Sequence, residues 1–237
     1  MIDINYSDWA DYIEEIFKIY NLEPELIADL GCGTGSFCLE MADRGYNMIG
    51  VDISTEMLSR AMLKLESQGV EKEKVLFLNQ DMSRFELYGT VDIIVSLIDS
   101  INYITNRREL RSIISLVENY LNPGGLFIFD INSLYKFKEI LSNNIFYSID
   151  DEITYIWKNT FNRETKLCKF DLTFFVREEN YYKRFDEVHF ERAYTEDELS
   201  EIIKHSGLEL LEVYDGLSFR SPSKNSERLF FICKKHK

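Results

Sequence analysis

Five short apolar runs punctuate the first half of the chain: Leu26 to Leu30, Met48 to Val51, Val75 to Leu78, Val91 to Leu97 and Leu126 to Ile131. Stretches with helical spacing lie between them, around 36 to 44, 54 to 68 and 107 to 121. Strands covered on both faces read as near-continuous apolar runs, and strands separated by helices pack most economically as a parallel sheet with helices on each side. The pattern therefore predicts a doubly wound α/β fold. An opening helix over Asp8 to Tyr20 is expected from Trp9, Tyr12, Ile13, Ile16, Phe17 and Tyr20 at spacings of three and four, closed off by Pro24. Pro123-Gly124-Gly125 is expected to end the third of the intervening helices and release the chain into the run at Leu126.

After Asn132 the period changes. Ile153, Tyr155, Trp157 and Phe161 fall on odd positions, and Phe170, Leu172, Phe174 and Val176 on even ones, with polar turns at 162–164 and 178–180. Alternation of period two predicts an antiparallel meander with one wet face. The expected organisation is a domain of residues 1–131 and 195–237 carrying an antiparallel β insertion over 132–194. Helical spacing returns from Thr195 to His205, where Thr195 and Glu198 form a capping box, and two final strands are expected at Leu208 to Tyr214 and Arg228 to Cys233.

The first apolar run ends in Asp29-Leu30-Gly31-Cys32-Gly33-Thr34-Gly35. Glycines between a strand and a helix let the backbone turn sharply and approach a ligand without a Cβ in the way. A dinucleotide fingerprint would place its third glycine at position 36, which is Ser36 here, and no Lys or Arg lies between Asp29 and Arg44. A carboxylate at the strand tip disfavours a pyrophosphate and favours an ammonium group, such as the one on the methionine tail of S-adenosylmethionine (SAM). A cap or turn role for Asp29 stays open. Asp52 ends the second run, where a carboxylate can accept both hydroxyls of an adenosine ribose. It could instead cap the next helix, although Ser54 is placed to do so. Asp81, followed by Met82, can accept from an adenine amino group, or can close a surface turn.

Residues just beyond the carboxyl end of a strand face the ligand crevice of such a sheet. After the fourth run these are Asp99, Asn102 and Tyr103, a carboxylate, an amide and a phenol able to orient a nucleophile. A turn-capping Asp99 and a core Tyr103 are the alternatives. Phe129-Asp130-Ile131-Asn132-Ser133 forms a second candidate wall.

Asp29-x-Gly31-x-Gly33-x-Gly35, Asp52, Asp81-Met82 and Leu121-Asn122-Pro123-Gly124-Gly125, in this order and spacing, resemble the class I SAM-dependent methyltransferase family. The resemblance implies a Rossmann-like seven-stranded, mostly parallel sheet with its last strand antiparallel. It implies SAM as cofactor and S-adenosyl-L-homocysteine (SAH) as product. By resemblance Asp29, Gly31, Cys32 and Gly33 meet the methionine moiety, Asp52 the ribose, and Asp81 and Met82 the adenine, with Ile53 and Leu97 completing the cofactor-binding set. Asp99-Ser-Ile-Asn-Tyr, Phe-Asp-Ile-Asn-Ser and the polar, aromatic stretch Tyr181 to Tyr194 resemble a bacterial subgroup of small-molecule methyltransferases whose antiparallel insert covers the acceptor. Asn132, Arg184, His189 and Arg192 are then candidate substrate contacts. Relatives commonly carry an aromatic segment upstream of Tyr6, so either Tyr6 and Trp9 supply part of that cover or the site is more open.

The reading is thus an enzyme transferring a methyl group to nitrogen or oxygen of a small molecule. The alternatives are a SAM-binding regulator or scaffold without turnover, an aminopropyl transferase, and a nicotinamide-dependent oxidoreductase, the last opposed by Asp29 and Ser36. A formal charge of −14, from 27 basic and 41 acidic side chains, gives little basis for nucleic-acid binding. Scattered Cys32, Cys38, Cys168 and Cys233 read as reduced thiols, and dispersed His189, His205 and His236 predict no metal. No apolar run of membrane length and no basic leader occur. A cytoplasmic monomer or homodimer is expected.

Overall fold

The computed structural model describes residues 4–236. A first helix, α1 (Tyr6–Ile19), is followed by β1 (Leu26–Leu30), α2 (Ser36–Asp43), β2 (Asn47–Asp52), α3 (Thr55–Ser67), β3 (Val75–Asn79), β4 (Val91–Ser96), α4 (Arg107–Tyr120) and β5 (Leu121–Asn132). Four strands come next, β6 (Ile145–Ser148), β7 (Ile153–Asn162), β8 (Leu167–Glu178) and β9 (Tyr181–Arg192). The chain closes with α5 (Glu196–Lys204), β10 (Leu208–Asp215) and β11 (Arg228–Lys235). Every expected apolar run has become a strand.

The main sheet has seven strands in the order β10-β11-β5-β4-β1-β2-β3, and only β11 runs against its neighbours. This is the mostly parallel, doubly wound sheet with one reversed strand that the sequence predicts. From β1 the chain winds outward through β2 and β3, then crosses back to β4 on the other side. That reversal opens a crevice beyond the carboxyl ends of β1 and β4, where ligands bind in folds of this kind. Both faces are covered. Ile94, Phe127, Phe129 and Phe231 pack with Ile113 of α4 and Ile202 of α5, while Ile27, Val95 and Ile128 pack with Ile13 and Ile16 of α1 and Met41 of α2.

Helix starts follow local chemistry. The Asn5 side chain accepts from the Ser7 N–H, so α1 begins two residues earlier than its apolar pattern suggests. It ends before Pro24, through a left-handed Asn21. Thr195 and Glu198 form the expected capping box. One expectation is corrected: Pro123-Gly124-Gly125 does not end α4. That helix stops at Tyr120, Leu121 is already extended, and the three residues form a bulge inside β5, where pairing with β4 jumps from Val91↔Leu121 to Ile93↔Leu126. Gly124 takes φ +84°, and a Cβ on Gly125 would lie 2.5 Å from the Asp92 carbonyl oxygen. The glycines provide clearance for a strand, not a helix stop.

The segment after Asn132 makes a π-helical turn over Lys136–Leu141, then a four-stranded antiparallel sheet in the order β6-β7-β8-β9. The odd series of β7 faces the even series of β8, with Trp157 opposite Leu172 and Phe161 opposite Cys168. Phe137 inserts beneath, its ring centre 6.0 Å from that of Phe161, to form a small separate core. Asn159, the polar member of the odd series, is 1% exposed and donates to the Leu141 carbonyl at 3.0 Å. The outer face is not uniformly polar, since Ile145, Tyr147, Val188 and Phe190 are exposed on it.

Candidate active site

The glycine loop lies against β2 and the segment after β4. Gly31 and Cys32 both donate to the Val51 carbonyl, at 2.8 and 3.1 Å, and Gly33 donates to Asp52 Oδ2 at 2.8 Å. Gly31 has φ +80°, and a Cβ there would come within 2.8 Å of Ser100 Oγ, so only glycine lets the two segments meet. The other oxygen of Asp52 accepts from Ser54 N–H at 2.8 Å, and Ser54 itself caps α3.

Asp29 is 3% exposed at the floor of this loop, and its Oδ2 accepts a hydrogen bond from the Cys38 thiol at 3.5 Å. Burial, partly offset by that thiol and reinforced by Asp52, pushes its pKa up to about 7. A buried carboxylate with no cation beside it among the described residues fits an incoming ammonium group. The Tyr6 phenol stands near Ser36 and Asp29: burial and the Asp29 charge raise its pKa against the opposing effect of Ser36. At the other end Ile53 is 69% exposed and lines a cavity of about 400 Å³ with Asn79, Gln80, Asp81, Arg84 and Glu86. An exposed isoleucine beside Asp52 fits the flat face of a nucleobase. Asp81 Oδ1 accepts from Ser83 N–H, so its carboxylate also closes the turn that competes with a ligand role. Met82 is half-buried on the core beside Gly31, and Leu97 is buried, its carbonyl accepting from Ser100 Oγ. The residues present fit SAM: a buried carboxylate for its ammonium, a loop without side chains, an acid for its ribose and an apolar platform for its base.

Beyond β4 the backbone is strained. Ile98 and Asp99 have φ +57° and +55°, a left-handed conformation that a β-branched residue rarely adopts. Asp130, fully buried at the end of β5, holds it: Oδ1 accepts from Ile98 N–H at 2.6 Å and Oδ2 from Asp99 N–H at 3.0 Å. Arg228 at the start of β11 bonds Asp130, and reaches the Asp99 carboxylate at 2.6 Å and Asn132 Oδ1 at 3.3 Å. Burial opposes the Arg228 charge, but the Asp130 and Asp99 carboxylates outweigh it and hold its pKa above the ordinary value. Asn132 Oδ1 also accepts from Lys136 Nζ at 2.9 Å. Tyr103 stands over this cluster, 43% exposed, in edge contact with His189 of β9 at 6.1 Å between ring centres. Burial and the Glu191, Asp99 and Glu187 carboxylates raise its pKa, so it remains a protonated phenol able to donate a hydrogen bond.

Several expected contacts are corrected. Asn102 is 0% exposed, and its amide is committed to backbone: Oδ1 accepts from Asn132 N–H at 2.9 Å and Nδ2 donates to the Arg192 carbonyl at 2.8 Å. It staples the turn after β4 to β5 and to the end of β9, a positioning role in place of the catalytic one expected. Arg184 and Arg192 lie on the opposite face of β9 from His189, because side chains alternate along a strand. Arg184 pairs with Asp186 on its own strand, and Arg192 bonds Thr165 O and Glu198. Trp9 is 8% exposed and lies under the Arg228 guanidinium at 5.4 Å, backing the cluster without opening to the crevice. Lys136, Glu191 and Arg228 were not singled out in the sequence. Glu191 could have been found by extending the alternation from β8 to β9, which puts it on the face of His189. A lone arginine heading an apolar strand is the only mark Arg228 leaves. Among the described residues no group of three or more His, Cys, Asp or Glu is arranged to hold a metal ion, and no helix is long and apolar enough to cross a membrane.

Comparison with known proteins places these features in context. A family described as "Methyltransferase domain" matches residues 27–125. A protein of Geobacillus sp. (strain WCH70) named as a candidate methyltransferase is 34% identical over 99% of this chain and 95% of its own length. The similarly named YqeM of Bacillus subtilis is 34% identical, covering 98% of this chain and 91% of its own. The crystal structure of a SAM-dependent methyltransferase from Clostridium acetobutylicum superposes with a TM-score of 0.92 at 38% identity, covering 100% of this chain and 94% of that one. SAM-bound CalS10, an amino pentose methyltransferase from Micromonospora echinaspora, shares the fold at 18% identity, covers 98% of this chain and 92% of its own, and has a TM-score of 0.78.

Proposed function

This chain belongs to the class I SAM-dependent methyltransferases, and from that premise we propose that it methylates a nitrogen or oxygen of a small molecule held between the segment after β4 and the inner face of β9. The observation that carries this reading is the strained Ile98-Asp99 turn. It is clamped by Asp130 and Arg228, stapled by Asn102 to β9, and lies directly beside Gly31 of the cofactor loop. Strained backbone persists where surrounding structure over-determines it, and such places concentrate at active sites.

SAM supplies a methyl group on a sulfonium, and its transfer is an in-line displacement limited mainly by how well the acceptor is held. Asp29, Gly33 and Asp52 would fix the cofactor. Asp99 and Tyr103 would orient the acceptor, Tyr103 as a hydrogen-bond donor and Asp99 as an acceptor whose side chain Arg228 fixes. The β6–β9 sheet would close the site on one side, which suits a small molecule better than an extended polymer.

Calorimetry with SAM, together with SAH release in the presence of small amines and alcohols, tests the reading. Asp52→Ala is expected to weaken SAM binding by about 100-fold, the worth of two charge-assisted hydrogen bonds. Affinity within a factor of two of the unaltered protein would remove Asp52 from the ribose. Asp99→Ala is expected to lower turnover by about 100-fold while leaving SAM affinity within a few-fold. Unchanged turnover would place the acceptor elsewhere.

A further inference from the structure

We propose that the acceptor is an amine, and that it enters as an ammonium ion paired to the buried carboxyl group of Glu191, which takes up its proton before methyl transfer. The inference rests on the methyltransferase reading above and assigns the acceptor's chemical class. Glu191 lies near the end of β9 on the face that carries His189, directly across from Cys168. It is 4% exposed, and its Oε2 has no hydrogen-bond partner among the described residues. An unpaired buried carboxyl oxygen is costly and is retained where something else completes it.

The surrounding charges say what is missing. Three carboxyl groups, Asp99, Asp130 and Glu191, face two cations, Lys136 and Arg228, and the exposed Glu227 adds a further negative charge beside Lys136. Both cations are committed elsewhere: Arg228 to Asp130, Asp99 and Asn132, and Lys136 to Asn132 Oδ1. Neither forms an ion pair with Glu191. With Glu191 ionised the cluster stands one positive charge short; without a ligand the carboxyl group makes up the deficit by holding a proton, and an acceptor ammonium supplies the charge instead. A hydroxyl acceptor would leave the deficit in place, and a carboxylate acceptor would deepen it.

The same geometry provides for the chemistry. An ammonium nitrogen has no lone pair, so a proton must leave before it can attack. It passes from nitrogen to Glu191 Oε2, turning the carboxylate into a neutral carboxylic acid and the ammonium into a free amine. The amine lone pair then forms the new bond to the methyl carbon as the bond from that carbon to sulfur breaks. The positive charge moves from sulfur to nitrogen, and SAH is left as a thioether. In the ligand-free protein burial and the nearby Asp99, against the opposing Asn132, Lys136 and Arg228, push the pKa of Glu191 up to about 8, so the group rests largely protonated at neutrality. It releases that proton to solvent as the ammonium pairs with it, and the resulting carboxylate then takes the ammonium's proton. The titratable groups facing it are Asp99 beyond β4, Tyr103 in the following turn, Lys136, Cys168 of β8, Arg228 of β11, and His189 and Glu187 of its own strand.

The test uses the full chain saturated with SAH, methylammonium chloride as the probe, and carbon NMR of protein labelled at the glutamate carboxyl carbons. The Glu191 resonance is the one missing from Glu191→Gln. Should that variant fail to fold, Glu191→Asp gives the same assignment. Without probe, one carboxyl group is expected to titrate near 8. At about 0.1 M methylammonium its midpoint is expected to fall by about one pH unit, while sodium chloride at equal ionic strength and sodium acetate leave it in place. In SAH-release assays Glu191→Gln is expected to lose about 100-fold in turnover of any amine accepted by the unaltered protein, with SAM affinity within twofold. A carboxyl midpoint indifferent to methylammonium, or turnover of an alcohol undiminished in Glu191→Gln, would overturn the proposal. Failure of SAM and SAH to bind at all would instead strike the methyltransferase reading on which it rests, so the two failures are distinguishable.

Discussion

Arg228→Met is expected to lower folding stability by about 3–5 kcal/mol, the largest effect foreseen for any single change in this protein. The substitution preserves much of the side-chain volume over Trp9 but leaves Asp130, which is fully buried, and Asp99 facing each other without a cation. It also loosens the clamp on two residues in left-handed conformation, each of which costs on the order of 1–3 kcal/mol to hold. For a chain of this size the melting temperature should fall by roughly 10 °C, measured by calorimetry or thermal fluorescence. The physical cause is testable in the same experiment. A triple variant with Asp99→Asn and Asp130→Asn added removes the orphaned charges and should recover most of the lost stability, because a buried ion pair is worth little beyond an uncharged replacement. A single variant within 1 kcal/mol of the unaltered protein, or a triple variant no better than the single, would show that Arg228 does not neutralise a buried acidic pair.

Asp29→Asn should have effects of opposite sign on stability and on ligand binding. The carboxyl group of Asp29 has its pKa raised from 3.8 to about 7 by burial, opposed by Cys38 and reinforced by Asp52. A carboxyl whose folded pKa is raised contributes stability while it stays protonated, below its unfolded value, and that contribution is lost as pH climbs through the folded value. The ligand-free protein should therefore lose stability between about pH 4 and 7 on account of this group. The displacement corresponds to about 4 kcal/mol, and an asparagine amide retains some desolvation cost, so Asp29→Asn should stabilise the ligand-free protein at pH 8 by on the order of 2 kcal/mol.

SAM binding should respond in the other direction. Ionised Asp29 attracts the ammonium of the methionine tail, so affinity should rise as pH increases toward 7, with proton release on binding near pH 6. Above about 8 the amino group itself loses its proton and affinity should fall again. Asn at this position should flatten that profile and weaken SAM by about tenfold or more. Calorimetry in two buffers of different ionisation enthalpy reads the proton count. A pH-independent affinity in the unaltered protein, or an Asp29→Asn variant that binds SAM equally well, would remove Asp29 from the ammonium.

Much of the fold can be read from local pattern. The runs that became β1 to β5 are apolar because both faces of a parallel sheet are covered, and that requirement acts residue by residue. The facing series of β7 and β8 are legible for the same reason, since alternation reports which side of a strand is buried. The Thr195 and Glu198 cap depends on residues three apart. Pro123-Gly124-Gly125 misleads because a helix stop and a strand bulge use the same residues, and only the distance from Gly125 to the Asp92 carbonyl tells them apart.

The cofactor half of the site shares this legibility. Gly31, Gly33, Asp29 and Asp52 lie at the ends of adjacent strands, and their spacing along the chain is the length of a strand and a crossover helix. The acceptor half does not. Asp99, Asp130, Glu191 and Arg228 come from four separate elements, and their meeting depends on β11 inserting against β5 and on the long excursion through β6–β9 returning above the crevice. Arg184 and Arg192 were the more conspicuous charges in the sequence, yet a strand presents only every second side chain to one face, and they fell on the other. What the sequence alone determined is the set of local conformations and the glycine loop proposed to meet the cofactor, because backbone propensity, capping and burial act over a few residues. What only the tertiary structure decided is which buried charges face one another and which is left without a partner, because electrostatic pairing is set by distance in space and burial, and neither is written in the spacing along the chain.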